Sequence, residues 1–384
     1  MTITASNINI ENIDLEYGRN SGITLRDCSN VSIRNCRIAH FDRSAVLANN
    51  VENVSVYGCD IFDLGDHAIF VSGGDLKTLI PSNNTIENNN IHDWGKINKS
   101  YSGAVRLSGV GGKIIHNKMY NAPHLAINLY GNDHLIAYNE IFEVLKESND
   151  AGAVYTGKSW IQRGVTVRNN YFHDLKSNCG TDVFGVYFDD FFCGGSVESN
   201  VFENISGANA AAFKGGGRDT TVVNNMLINC NALYRGTSML HGYMAKSDID
   251  GYIEYITNNW RATSGYGLNS DVYSKAVYSK YPHIEDYDEN NLINTINSKY
   301  SVMKNNVLYM TTHDRFWTHS GNYSAEVIER DSGWKLENSD TYSNNPGFVN
   351  ILNGNYNLRK NNEIMKNNND FKDIEFYKIG LYWE

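Results

Sequence analysis

Val31-Ser32-Ile33-Arg34-Asn35-Cys36-Arg37-Ile38 returns 23 residues later as Val54-Ser55-Val56-Tyr57-Gly58-Cys59-Asp60-Ile61. The frame reaches back to Ile8, Ile10, Ile13 and Leu15. It runs forward through Ile86, Asn89, Ile91; Ile114, Asn117, Met119; Ile136, Asn139, Ile141; Val167, Asn170, Phe172; Val197, Asn200, Phe202; and Val222, Asn225, Leu227. From Ile10 to Val222 the anchors stand 23, 23, 30, 28, 22, 31, 30 and 25 residues apart, and Met303, Asn306, Leu308 follow after a gap. Repeats of this length mean a solenoid, in which each unit buries its apolar face only against its neighbours.

Apolar residues alternate within each unit, which means strand, and a unit has room for two or three strands with their turns. A second strand follows in each copy: Ala45-Val46-Leu47, Ala68-Ile69-Phe70, Ala104-Val105-Arg106, Ala126-Ile127-Asn128, Ala153-Val154-Tyr155 and Gly185-Val186-Tyr187, with Ala212-Phe213 and Ala232-Leu233-Tyr234 as looser versions. The expected fold is all-β, a single-stranded right-handed parallel β-helix with coils about 4.8 Å apart. The recurring Asn suits a turn and can bond up and down the stack. Cys36 and Cys59 share one slot and read as small buried residues.

The coils are expected over residues 1–230, with a last coil at 301–330 and a closing segment at 331–384. Residues 231–300 lack anchors but hold Tyr234, Tyr243, Tyr252, Tyr255, Trp260, Tyr266, Tyr273, Tyr278, Tyr281 and Tyr287. A structureless loop this long is improbable, so the stretch reads as a long, partly helical insertion folded onto the solenoid. A net charge of −10 and the lack of basic runs argue against nucleic acid and acidic membrane surfaces as partners. No stretch is apolar enough to span a membrane. An open first coil would be an exposed sheet edge. The expectation is therefore a chain separated from a leader and N-terminal cap, secreted or periplasmic, and otherwise cytoplasmic. Six cysteines at irregular spacing carry no metal or disulfide signature. Cys179 and Cys193 flank one coil but read as free thiols.

Outward residues of the second strand form a column, read as Leu47, Phe70, Arg106, Asn128, Tyr155, Tyr187, Phe213, Tyr234. A parallel column reads Asn49, Ser72, Ser108, Tyr130, Gly157, Asp189. Rings beside hydroxyl, amide and carboxylate groups suit a carbohydrate. Asp150 and Asp182 take matching places before two of these strands, and Asp189-Asp190 ends the second. Glycoside hydrolysis needs two carboxyl groups about 5 Å apart for retention or roughly 6.5–9.5 Å for inversion. Asp150 could meet Asp182 across one coil, whereas Asp150 and Asp189 need a bend or bulge to converge. Asp182 reads as a structural turn residue. Mutual repulsion and partial burial are expected to leave one catalytic carboxyl protonated and one ionised. His124, His134 and Lys158 share these coils as candidate substrate ligands, joined by Tyr130, Tyr155, Trp160, Tyr187, Lys214 and Arg218. No cofactor is required; calcium is compatible with the carboxylates, but the sequence carries no calcium-repeat pattern. Gly215-Gly216-Gly217-Arg218-Asp219 reads as a turn closely approached by substrate or by the insertion.

In order, the chain carries Gly131-Asn132-Asp133-His134-Leu135-Ile136-Ala137-Tyr138-Asn139-Glu140, Asp150-Ala151-Gly152-Ala153-Val154-Tyr155-Thr156-Gly157 and Gly185-Val186-Tyr187-Phe188-Asp189-Asp190. Gly215-Gly216-Gly217-Arg218-Asp219, Tyr281-Pro282, Asn345-Pro346-Gly347-Phe348 and Ile379-Gly380-Leu381 follow. Over about residues 110–384 this order resembles bacterial right-handed β-helix, pectate-lyase-like proteins that include glycoside hydrolase family 141. The resemblance implies hydrolysis of a plant-type or bacterial polysaccharide, fucosidase- or xylanase-like, with catalytic carboxylates at Asp150 and at Asp189 or Asp190. Where relatives carry Gly-Arg-Asp-Trp, this chain has Gly157-Lys158-Ser159-Trp160, and Lys lacks the planar bidentate contacts of Arg. The function read first is glycoside hydrolase. A polysaccharide lyase on the same fold comes second, and a non-catalytic carbohydrate-binding or adhesin solenoid third.

Overall fold

A computed structural model describes residues 1–157, 159–189, 192–236, 273–288, 298–312, 316–318, 321–323 and 333–382. Each coil contributes three strands, one to each of three sheets, and along each sheet the strands follow one another coil by coil. The 23-residue repeat is literal register: Val31 pairs with Val54 and Ile33 with Val56 in parallel strands. Alternation puts Ile33, Val56, Ile86, Ile114, Ile136, Val167, Val197 and Val222 into one continuous apolar interior. The chain winds as a right-handed parallel β-helix, the hand that parallel crossovers adopt.

The repeated Asn residues hold one corner. Asn89, Asn117, Asn139, Asn170, Asn200, Asn225 and Asn306 are fully buried, and each side-chain amide donates to the next one's Oδ1 at 2.9–3.1 Å. Cys59 continues the line, its backbone N–H donating to Asn89 Oδ1. The left-handed backbone of this turn falls on the residue before each ladder member, such as Asn88, His116, Tyr138 and Asn169. The ladder Asn is therefore chosen for its buried amide, and its predecessor takes the strained turn. All six cysteines are free thiols, Cys179 and Cys193 included.

Two boundaries move. Tyr234–Gly236 pairs with Ala211–Gly215, so the coils run past residue 230. Lys335–Glu337 and Asp340–Tyr342 extend two of the sheets beyond Val302–Lys304 and Val307–Tyr309, adding a coil within the stretch read as a closing segment. Beyond it the chain turns back along the solenoid, where Gly380 N–H reaches Tyr138 O and Tyr382 N–H reaches Asn88 Oδ1. Most of 231–300 lies outside the described residues. The part at 273–288 holds one helical turn, Lys275–Tyr278, and a 3-10 turn, Ile284–Asp286, packed beside Trp160, Ile161 and Leu79.

Candidate active site

The sheet containing Ala151–Gly157 and Val183–Asp189 carries the candidate residues. Its register aligns Phe70, Arg106, Asn128, Tyr155, Tyr187, Lys214 and Arg235 on the outward face. Phe213 and Tyr234, expected in this column, instead pair with Val186 and with each other and lie in the interior. In strands a one-residue slip exchanges faces, and here it replaces two rings by two cations.

Asp150 reaches this column by a bend. In a straight strand it would lie about 16 Å before Tyr155, at about 3.3 Å per residue, and out of reach of Lys214. Yet Lys214 Nζ is 2.6 Å from Asp150 Oδ1. Gly152 permits this: a Cβ there would stand 2.5 Å from Tyr187 Cβ, so the chain folds directly over Tyr187. Phe184, Ala211, Ala232 and Tyr187 pack as a small cluster outside the main core, with Tyr155 against it. Asp150 is 56% exposed at its side chain, whereas Lys214 is 5% exposed and lies 4.3 Å from the Tyr187 ring centroid.

Asp189 stands at the far end of the same face. It is 8% exposed and accepts the Tyr155 hydroxyl proton at 2.8 Å. Gly157 makes room for it, since a Cβ there would meet Asp189 Cβ at 2.6 Å. Burial and then the Asp189 charge raise the Tyr155 hydroxyl well above its ordinary value, so it remains a proton donor. The Tyr155 and Tyr187 rings meet edge to face at 5.5 Å. A continuous path thus runs Asp150, Lys214, Tyr187, Tyr155, Asp189.

His124 lies near this path. Its ring is 5.2 Å from Tyr101, which stands edge-on to Tyr155 at 5.9 Å. Burial lowers its imidazole to about 4, and its Nδ1 is buried without a partner among the described residues. Tyr130 lies under the Arg106 guanidinium.

Other expected ligands are engaged elsewhere. His134 is buried, its Nδ1 accepting Gly112 N–H while its Nε2 meets Tyr130 O, so it fastens a turn. Trp160 is 1% exposed and donates to Ile284 O; Arg218, also buried, binds Asp286. Both hold the 273–288 segment against the solenoid. The Tyr187 ring is covered and cannot lie flat on a sugar. Asp182 is 4.0 Å from Arg235 at the outer edge of the fold-over, away from Asp189. Lys158 and Asp190 lie outside the described residues. Among the described residues no group of three or more His, Cys, Asp or Glu is placed to hold a metal ion.

Sequence reading missed Arg235, which needed the true register, and Tyr101, which no motif marks. It also missed the buried Arg163–Asp219 pair at 2.7 Å, with His283 on the other Asp219 oxygen at 2.5 Å. The only hint was Asp219 within the glycine-rich turn.

Residues 1–97 and 79–227 match the family model described as the right-handed β-helix region. No curated protein matches the chain. Among solved structures, one titled a glycoside hydrolase is 14% identical over 60% of this chain, with a TM-score of 0.33, and the chain spans only 39% of its length. An alginate lyase in complex with a trisaccharide is 12% identical, covering 98% of this chain and 89% of its own, with a TM-score of 0.43. A second alginate lyase complex is 12% identical over 99% of this chain and 89% of its own, at a TM-score of 0.36.

Proposed function

The chain belongs to the right-handed β-helix family, and on that scaffold we propose a carbohydrate-active enzyme, specifically a glycoside hydrolase. The fold alone assigns no activity; the observation that carries the reading is the fold-over at Gly152. It brings Asp150 onto the face that ends in Asp189, with Tyr155 and Tyr187 between them. In this reading a sugar chain crosses the outward face beside Tyr155. Asp189, the more buried carboxyl, protonates the leaving oxygen as the C–O bond breaks. Asp150, exposed and steered by Lys214, takes a proton from the water that attacks the anomeric carbon. Tyr155 orients Asp189. Asp190, beside Asp189 in sequence, is the alternative acid.

Activity is tested on a panel of plant and bacterial glycans by reducing-sugar release, comparing wild type with Asp150→Asn and Asp189→Asn. Loss of product in both supports the assignment. Full activity in both, and in Asp190→Asn, rejects it.

A lyase is the second reading, favoured by one observation: Arg106, neutral His124 and protonated Tyr155 share this face. Elimination requires a cation at the uronate carboxylate, a base near C5 and a proton donor. It would leave an unsaturated uronide, whose absorbance hydrolysis never produces.

A further inference from the structure

Arg106 lies two coils from Tyr155 on the outward column, with Asn128 between them. Its guanidinium sits between the rings of Phe70 and Tyr130, 5.4 and 5.1 Å from their centroids. Among the described residues it has no ion pair and no hydrogen bond, and its Nε is buried without a partner. The carboxylate of Asp66, beside His67 in sequence, is engaged with Ser102 Oγ, Asn98 Nδ2 and the His67 N–H. His67 cannot act as a counter-ion, since an imidazole is neutral or cationic; burial lowers it, and the Arg106 charge lowers it further. On the next coil Asn128 is 1% exposed, and its Oδ1 also lacks a partner among the described residues. A partly desolvated cation without a counter-ion is costly unless a ligand supplies one. A guanidinium fork matches a carboxylate by two parallel hydrogen bonds.

We infer that Arg106 forms a subsite for a uronate residue, whose carboxylate pairs with its guanidinium. This rests on the outward face being the substrate groove. Two coils are about 9.6 Å, so with the cleaved bond beside Tyr155 the uronate is a flanking residue, recognised but not itself cleaved. The substrate class is thus an acidic polysaccharide, and the salt dependence of its binding reports the Arg106 charge.

The test is equilibrium binding of a panel of uronic acid trisaccharides and their methyl esters to the wild-type chain and to Arg106→Gln, with the thermal transition of each protein recorded. Losing a charge-assisted hydrogen-bonded pair weakens binding roughly 10- to 100-fold. The wild type is therefore expected to favour at least one acid over its ester by that factor, and Arg106→Gln to abolish the preference. Equal binding of every acid and ester, no binding of any acid, or a preference surviving in Arg106→Gln overturns the inference. If Arg106→Gln does not fold, Arg106→Lys is read instead: it keeps the charge but lacks the planar fork, so a weakened acid preference supports the pairing and an unchanged one overturns it. The proposed hydrolase is tested separately: cleavage of neutral glycans through Asp150 and Asp189 without acid preference keeps that reading and loses this one. Acid preference without cleavage does the reverse.

Discussion

Each proposed catalytic carboxylate is steered by a residue of different character, and single changes separate their roles. Asp150→Asn and Asp189→Asn should each lower turnover by roughly 10²–10⁴-fold, the contribution typical of a positioned acid or base. Their thermal transitions should stay close to wild type; a fall in turnover matched by a fall in melting temperature would mean that these residues only support the fold. A second residue-scale expectation concerns pH. Burial alone would lower the His173 imidazole, but hydrogen bonds to Glu140 and Asp174 outweigh it and raise it above 6.5. Burial would raise Glu140, but His173 and Lys118 hold it below 4.5. His173 therefore stabilises fully below about 6.5 and loses this as pH rises through its raised folded value, whereas Glu140 stabilises above about 4.5 and loses it as pH falls. The melting-temperature difference between wild type and His173→Gln should peak between those limits. A difference that does not vary with pH would rule the pair out as a source of stability.

At the scale of elements, the Asn ladder and the Gly152 fold-over answer different demands. Asn139 accepts from the backbone and side-chain amides of Asn117 and donates to Ile114 O and Ala137 O. Asn139→Ala leaves buried groups on neighbouring coils unpaired, at about 1–3 kcal/mol each. Chemical denaturation should show a loss of about 2–4 kcal/mol, and a loss below 0.5 kcal/mol (roughly the scatter of surface substitutions) would show that the ladder is ornamental. Gly152→Ala forces a methyl group into Tyr187 Cβ. Overpacking of this kind costs about 1–3 kcal/mol. It should also move Asp150 off Lys214 and cut turnover more than stability. Unchanged turnover would show that Asp150 does not need the bend.

For the molecule as a whole, the 273–288 segment is tied to the solenoid by Trp160, Arg163, Arg218 and Asp219. The Arg163 and Asp219 side chains are 0% and 3% exposed, and breaking a buried pair by removing one charge costs about 3–5 kcal/mol. Asp219→Asn should lower the melting temperature and speed hydrogen exchange around Tyr278 and Ile284; unchanged exchange there would place the anchorage elsewhere. The sequence by itself determined the β-helix, the coil spacing and the Asn corner, because period-two patterns and a fixed repeat act locally and each coil repeats the same solution. It also marked Asp150 and Asp189, through the motifs around them. Tertiary structure alone decided which residues face outward late in the solenoid, since a one-residue slip at Phe213 leaves the apolar pattern almost unchanged yet exchanges a ring for Lys214. It also decided that Trp160 and Arg218 anchor a distant segment, and that Asp150 swings over Tyr187. Those outcomes depend on contacts between residues dozens of positions apart, and no local pattern of residues encodes such a contact.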